Sequence, residues 1–142
     1  MKFKIVIDKS REEEVIVYAH AETKLTDEIE RLVSENSFEL IGYKNKNAVK
    51  FSLNEVNCFS VEGGKVYAFT EEKLLLKSRL YKIEENLSES FIKINQSTIA
   101  NVRMIKKFDA SLGGSLRVIF KNGYSDYVSR RQLKKVKERL GL

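Results

Sequence analysis

The chain has 142 residues, 42% of them hydrophobic and 32% charged, with a formal net charge of +6 and a pI near 9.3. That length suits one domain, or one domain with a short extension, and the apolar content excludes a disordered chain. A single cysteine, Cys58, excludes an internal disulfide, and the longest apolar stretch, Val15 to Ala19, falls far short of the roughly 20 residues that span a bilayer. The opening MKFKIVID also lacks the apolar core of a signal peptide, so a cytoplasmic protein with no membrane contact is expected.

The charge is uneven. Residues 1–50 carry nine Lys/Arg and ten Asp/Glu, whereas residues 51–142 carry seventeen and ten. The last fourteen residues hold six basic side chains against the single acid Glu138. A basic surface favours polyanionic partners, nucleic acid above all, and here it belongs to the C-terminal part.

In chain order, Phe3, Ile5 and Ile7 alternate with other residues as in a strand, and Val15 to Tyr18 reads as a second one. Leu25, Ile29, Leu32 and Val33 share one helical face, with Thr26 as the expected N-cap and Asp27 and Glu28 in the first turn. Phe38 to Tyr43 reads as another strand. The charge shift and the polar run Lys44-Asn45-Lys46-Asn47 divide the chain into a strand-helix extension, 1–45, and a main domain, 46–142. About 45 residues bury too little to stand alone, so the extension is expected to pack on the rest of the chain or on a second copy as a homodimer, or to contact a partner.

The main domain reads as strands joined by tight turns. Val49 to Leu53 alternates. Val56 to Val61, Gly63-Gly64 and Val66 to Phe69 form a hairpin pattern, because two-residue hairpin turns need positive φ. Leu74 to Lys77 is a short strand, and Ser78 caps a helix that buries Leu80, Ile83 and Leu87. Phe91 to Ile94 and Val102 to Phe108 are further strands. Ser115 to Phe120, Asn122-Gly123 and Tyr124 to Val128 form a second hairpin. Ser129 to Gln132 has the capping-box spacing and opens a helix that buries Leu133, Val136 and Leu140.

No catalytic constellation is visible. His20 and Cys58 are each alone of their kind, and the Glu12-Glu13-Glu14 run lacks the glycine and ligand alternation of a calcium loop. There is no phosphate-binding loop, no nucleophile elbow and no zinc spacing. The chain therefore reads as no enzyme, with no cofactor, metal or small-molecule substrate. The informative residues are polar and basic ones at turns. Arg130 and Arg131 stand in the first turn of the last helix, where cations oppose the helix dipole unless an anion is bound. The segment Lys93-Ile94-Asn95-Gln96-Ser97-Thr98-Ile99-Ala100-Asn101 offers donors that hold phosphates or read adenine.

Three pieces together resemble the LytTR family of bacterial DNA-binding domains. The first is Asn54-Glu55-Val56-Asn57-Cys58-Phe59-Ser60-Val61-Glu62 with the turn and strand after it. The second is Phe91 to Asn101, similar to the family's signature of an aromatic, a basic residue, two variable polar positions, a serine and an apolar stretch ending in asparagine. The third is Tyr127-Val128-Ser129-Arg130-Arg131. The resemblance implies an α+β fold, mostly antiparallel β and elongated, with a short C-terminal helix after the strand/helix extension. It implies a transcription regulator whose loops enter successive major grooves of double-stranded promoter DNA at repeated half-sites.

Carried over by position, Gln96 and Arg131 read bases, and the turn at Gly63 to Lys65 supplies a third contact. Lys93, Asn95, Ser97, Asn101, Ser129 and Arg130 support the site or touch the backbone. Where the family often has His-Arg or His-Asn, this chain has Asn95-Gln96. Many members carry a receiver domain, whose acidic cluster is not evident here, so no phosphorelay input is expected. The alternative from another class is a basic protein-interaction module. RNA reading is less favoured, because most aromatics fall at core positions rather than on a stacking surface.

Overall fold

The main sheet is built around the tight turn at Gly63 and Gly64, whose φ values of +56° and +76° match the twist that two-residue hairpins require. The computed structural model describes residues 1–37, 39–111 and 113–142. Its elements are α1 (Lys24–Ser37), β1 (Glu39–Lys44), β2 (Asn47–Ser52), β3 (Cys58–Glu62), β4 (Lys65–Phe69), β5 (Lys73–Leu76), α2 (Leu80–Glu85), β6 (Phe91–Asn95), β7 (Thr98–Asn101), β8 (Ile105–Asp109), β9 (Leu116–Phe120), β10 (Ser125–Val128) and α3 (Arg130–Leu140). A seven-stranded sheet has the order β2-β1-β5-β4-β3-β7-β6, and a three-stranded sheet has the order β10-β9-β8. Every pairing is antiparallel. The mostly antiparallel α+β fold with a C-terminal helix is the one expected.

The central strands are apolar on both faces because each face covers a different core. Cys58, Phe69, Ile92, Ile94 and Ala100 face the small sheet and α3, meeting Leu116, Val118, Phe120, Val128 and Val136. The alternate residues Phe59, Val66, Ala68 and Ile99 face the other way, onto Phe51, Leu53, Val56, Leu74 and Leu80. Period-two alternation thus assigns neighbours such as Cys58 and Phe59 to opposite cores. Burial also pushes the Cys58 thiol pKa up.

Several local expectations are corrected. Phe3 to Ile7 and Val15 to Tyr18 form no strand: Phe3 is 88% exposed and Ile7 86%, and neither run pairs with another among the described residues. A lone two-stranded ribbon is marginal in water, so alternation without a third strand does not suffice. α1 begins earlier than expected. Thr23 takes the capping place, its hydroxyl accepting the Thr26 N–H at 3.4 Å. Arg79, not Ser78, precedes α2. Residues 102–104 form a 3-10 turn, so the next strand starts only at Ile105. Thr98 to Asn101, which lies between the expected strands Phe91 to Ile94 and Val102 to Phe108, is itself a buried strand. Phe38, expected in a strand, lies outside the described residues. The boundary at residue 45 falls on the turn between β1 and β2, so β1 is a strand of the main sheet. Among the described residues no helix is long and apolar enough to cross a membrane.

Candidate nucleic-acid interface

Three turns that are distant in sequence meet at one end of the strands. The β3–β4 turn is tied to the β6–β7 turn by Val61 N–H donating to Ser97 C=O at 2.8 Å. The β6–β7 turn is tied to the start of α3 twice. Ser129 N–H donates to Ile94 C=O at 2.8 Å, and Asn95 Nδ2 donates to Tyr127 C=O at 2.8 Å. Asn95 Oδ1 also accepts Ser97 N–H at 2.8 Å, which closes the turn that carries Gln96. Asn95 is thus a positioning residue, with both ends of its amide committed.

A polar chain lies beneath these turns. Thr98 Oγ1 donates to Asp126 Oδ2 at 2.6 Å and is 2.8 Å from Ser60 Oγ. Thr98 gives its one proton to the carboxylate, so Ser60 is the donor in the second bond. The chain joins β3, β7 and β10, and so fixes the two sheets relative to each other under the turns. Charge-assisted bonds in a half-buried place are among the stronger polar contacts, each contributing about 1.5–3 kcal/mol.

On this frame Lys65, Gln96, Ser97, Arg130 and Arg131 are exposed. The two arginines occupy the first turn of α3, which holds no acid. The capping box expected from Ser129 and Gln132 does not form. The Ser129 hydroxyl makes no cap bond, and Gln132 N–H reaches Ser129 C=O at 3.1 Å instead. The Arg130 and Arg131 amides therefore have no side-chain cap and lie beside two exposed guanidinium groups, a pairing suited to an anion. Of the acids nearby, Glu62 is engaged by Lys73 and Asp126 by Thr98.

Lys93 is half-buried on β6 and lies 3.8 Å from Glu84, a long, partly exposed ion pair worth little. Asn101 stands apart from the surface. It is 2% exposed, its Nδ2 donates to Val56 C=O at 2.8 Å, and its Oδ1 accepts Arg103 N–H at 3.1 Å. Of the two roles its sequence position allows, support of the site or backbone contact, this burial and bonding fit support. Lys46 and Lys121 lie at the opposite end of the strands, where Asn122 Nδ2 donates to Thr70 C=O at 3.1 Å. His20 is exposed, and Cys58 is buried in β3.

Residues 46–141 match the family model of the LytTr DNA-binding domain. Two Staphylococcus aureus proteins, from strains MSSA476 and NCTC 8325 / PS 47, are each 33% identical to the chain. Both alignments cover 100% of this chain, extension included, and 99% of the relative. Each relative is described as an uncharacterized HTH-type transcriptional regulator. In this chain α1, α2 and α3 are separated by strands, so no helix-turn-helix occurs among the described residues. A Bacillus cereus structure, the LytTr DNA-binding domain of a putative methyl-accepting/DNA response regulator, superimposes with a TM-score of 0.68. It is 23% identical and covers 73% of this chain and 97% of its own, a likeness of fold. With most of its length matched to the family model, the chain belongs to the LytTR family of DNA-binding domains.

Proposed function

We propose that the chain is a sequence-specific transcription regulator of double-stranded promoter DNA, with the three turns entering successive major grooves at repeated half-sites. The observation that carries this reading is the convergence of the turns at Gly63-Gly64, Gln96-Ser97 and Arg130-Arg131 on one end of a rigid double sheet. Arg131 pairs with a guanine edge and Gln96 with an adenine edge, both bidentate. Lys65, Ser97 and Arg130 hold phosphates, with the uncapped amides of α3 beside them. Lys93 exchanges its weak partner Glu84 for a phosphate. Asn95 and Ser129 position the turns through their bonds to Tyr127 and Ile94. Two adjacent half-sites are filled by two copies acting as a homodimer. The reading needs no enzyme chemistry, cofactor or small-molecule substrate, and it places the protein in the cytoplasm.

The test is a fluorescence-anisotropy titration with duplex DNA from upstream of the chain's own gene, at two salt concentrations and with excess random duplex. Specific binding that survives the competitor and weakens steeply with salt is expected, since several phosphates are neutralised. Complete loss to the competitor with a series of candidate promoters would contradict sequence reading. Absence of binding even at low salt would instead favour a basic protein-interaction module built on the solvent face of α3.

A further inference from the structure

The first 20 residues present an apolar surface that the rest of the described chain leaves uncovered. Phe3, Ile5, Val6 and Ile7 are 88%, 70%, 72% and 86% exposed, and Val15, Ile16 and Tyr18 are 60%, 58% and 92% exposed. Contiguous exposed apolar side chains of this kind mark an interaction surface. The two runs are joined by a compact turn. Asp8 Oδ1 accepts Ser10 N–H at 2.9 Å and Ser10 Oγ–H at 2.6 Å, and Arg11 N–H reaches Asp8 C=O at 3.4 Å. These bonds hold the Asp8 carboxyl below its ordinary pKa and so keep it charged. Among the described residues, no other backbone bond joins the two runs.

The sequence of the first run is complementary to itself. In an antiparallel pair, directly opposite residues share a face, so a two-fold centred on residue 5 pairs positions that add to ten. Phe3 then meets Ile7 of the second copy, Ile5 meets Ile5, Lys4 meets Val6, and Lys2 meets Asp8. One face is wholly apolar, and the charges at the ends are opposite. A two-fold centred on Lys4 would set two lysines against each other, and one centred on Val6 would set Phe3 against Lys9. A two-fold between residues pairs apolar positions with positions of the other face. The run 13–19 of each copy flanks this pair across the Asp8–Arg11 turn. Four strands then replace two marginal ones, which removes the reason the isolated chain forms no sheet here.

We infer that residues Lys2–Asp8 form an antiparallel β-pair with the same residues of a second copy, about a two-fold at Ile5, and that this pair is the dimer contact. The inference specifies how the two copies proposed for adjacent half-sites hold together. It is tested without DNA, so its failure and that of DNA reading are separate results. Single cysteines introduced by Lys4→Cys, Ile5→Cys, Val6→Cys and Ile7→Cys in the full chain are oxidised and run on a non-reducing gel, Cys58 being buried. At the two-fold the Cα atoms lie about 4.5–5.5 Å apart, within disulfide reach, whereas the diagonal separation is about 7–8 Å.

Covalent dimer from Ile5→Cys alone is the expected result, and a maximum at any other position overturns the register. Sedimentation of the unmodified chain should show a dimer that Ile5→Asp weakens at least about tenfold, because two like charges then face each other. A chain that stays monomeric at its highest soluble concentration, or a dimer unchanged by Ile5→Asp, overturns the surface itself.

Discussion

Asn101 offers a sharp test, because its place in the sequence allows a DNA contact whereas its surroundings point to the fold. Asn101→Ala strands one buried group and one half-buried group: Val56 C=O loses a donor at 2.8 Å, and Arg103 N–H loses an acceptor at 3.1 Å. The unsatisfied buried carbonyl costs about 1–3 kcal/mol, the half-buried amide less, and a small void adds to that. A total near 2–4 kcal/mol is expected. Unfolding entropy is about 2.1 cal/mol/K per residue, or about 0.3 kcal/mol per degree for this chain. Tm should therefore fall by about 7–13 °C in a calorimetric or circular-dichroism melt. Anisotropy below the transition should show affinity for promoter and random duplex close to that of the native chain, once the folded fraction is counted. An unchanged Tm with a large loss of DNA affinity would refute this reasoning and make Asn101 a contact residue.

Arg131→Ala should reduce discrimination between cognate and random duplex by about 1–3 kcal/mol, whereas Lys93→Ala should weaken both about equally. Equal losses from Arg131→Ala on the two duplexes would show that it does not read bases. Gly42→Ala should destabilise by about 1–3 kcal/mol in a urea melt, because a Cβ there would lie 2.6 Å from Leu74 Cβ and 3.3 Å from the Phe51 ring. The buried Cys58 thiol, its pKa raised by desolvation, should resist an aromatic disulfide reagent in the native protein and react fully in denaturant. Rapid native labelling would contradict that burial.

The turns were legible because each announces itself chemically. Gly63-Gly64 and Asn122-Gly123 supply the positive φ that hairpins need, and all three glycines adopt it. The last helix was legible from the spacing of Leu133, Val136 and Leu140, which reach the core as expected. What the sequence could not show was partnership. Thr98 and Asn101 look like loop residues, yet Ser60, Asp126 and Val56, far away in the chain, satisfy them in a buried strand. Ser129 and Gln132 have the capping spacing, but the Ser129 side chain makes no such bond. Alternation in residues 3–7 and 15–18 reads as strands, yet neither run forms one among the described residues, because alternation does not say whether a third strand lies in the same chain. The convergence of Gln96 and Arg131 was implied only by family resemblance. Its physical cause, the bonds of Asn95 and Ser129 to Tyr127 and Ile94, depends on the folded backbone.

The central claim is that the three converging turns form one DNA-reading end. It is tested most directly by comparing two sets of variants on the same specific duplex, by anisotropy with random competitor. One set is Lys65→Ala, Gln96→Ala and Arg131→Ala. The other is Lys46→Ala and Lys121→Ala at the opposite end of the strands. The account predicts a loss of specific affinity from each of the first set, about 1–3 kcal/mol for Gln96 and Arg131, and near-native binding from the second. Near-native binding by the first set with losses from the second would place the DNA on the wrong end of the molecule and contradict the account.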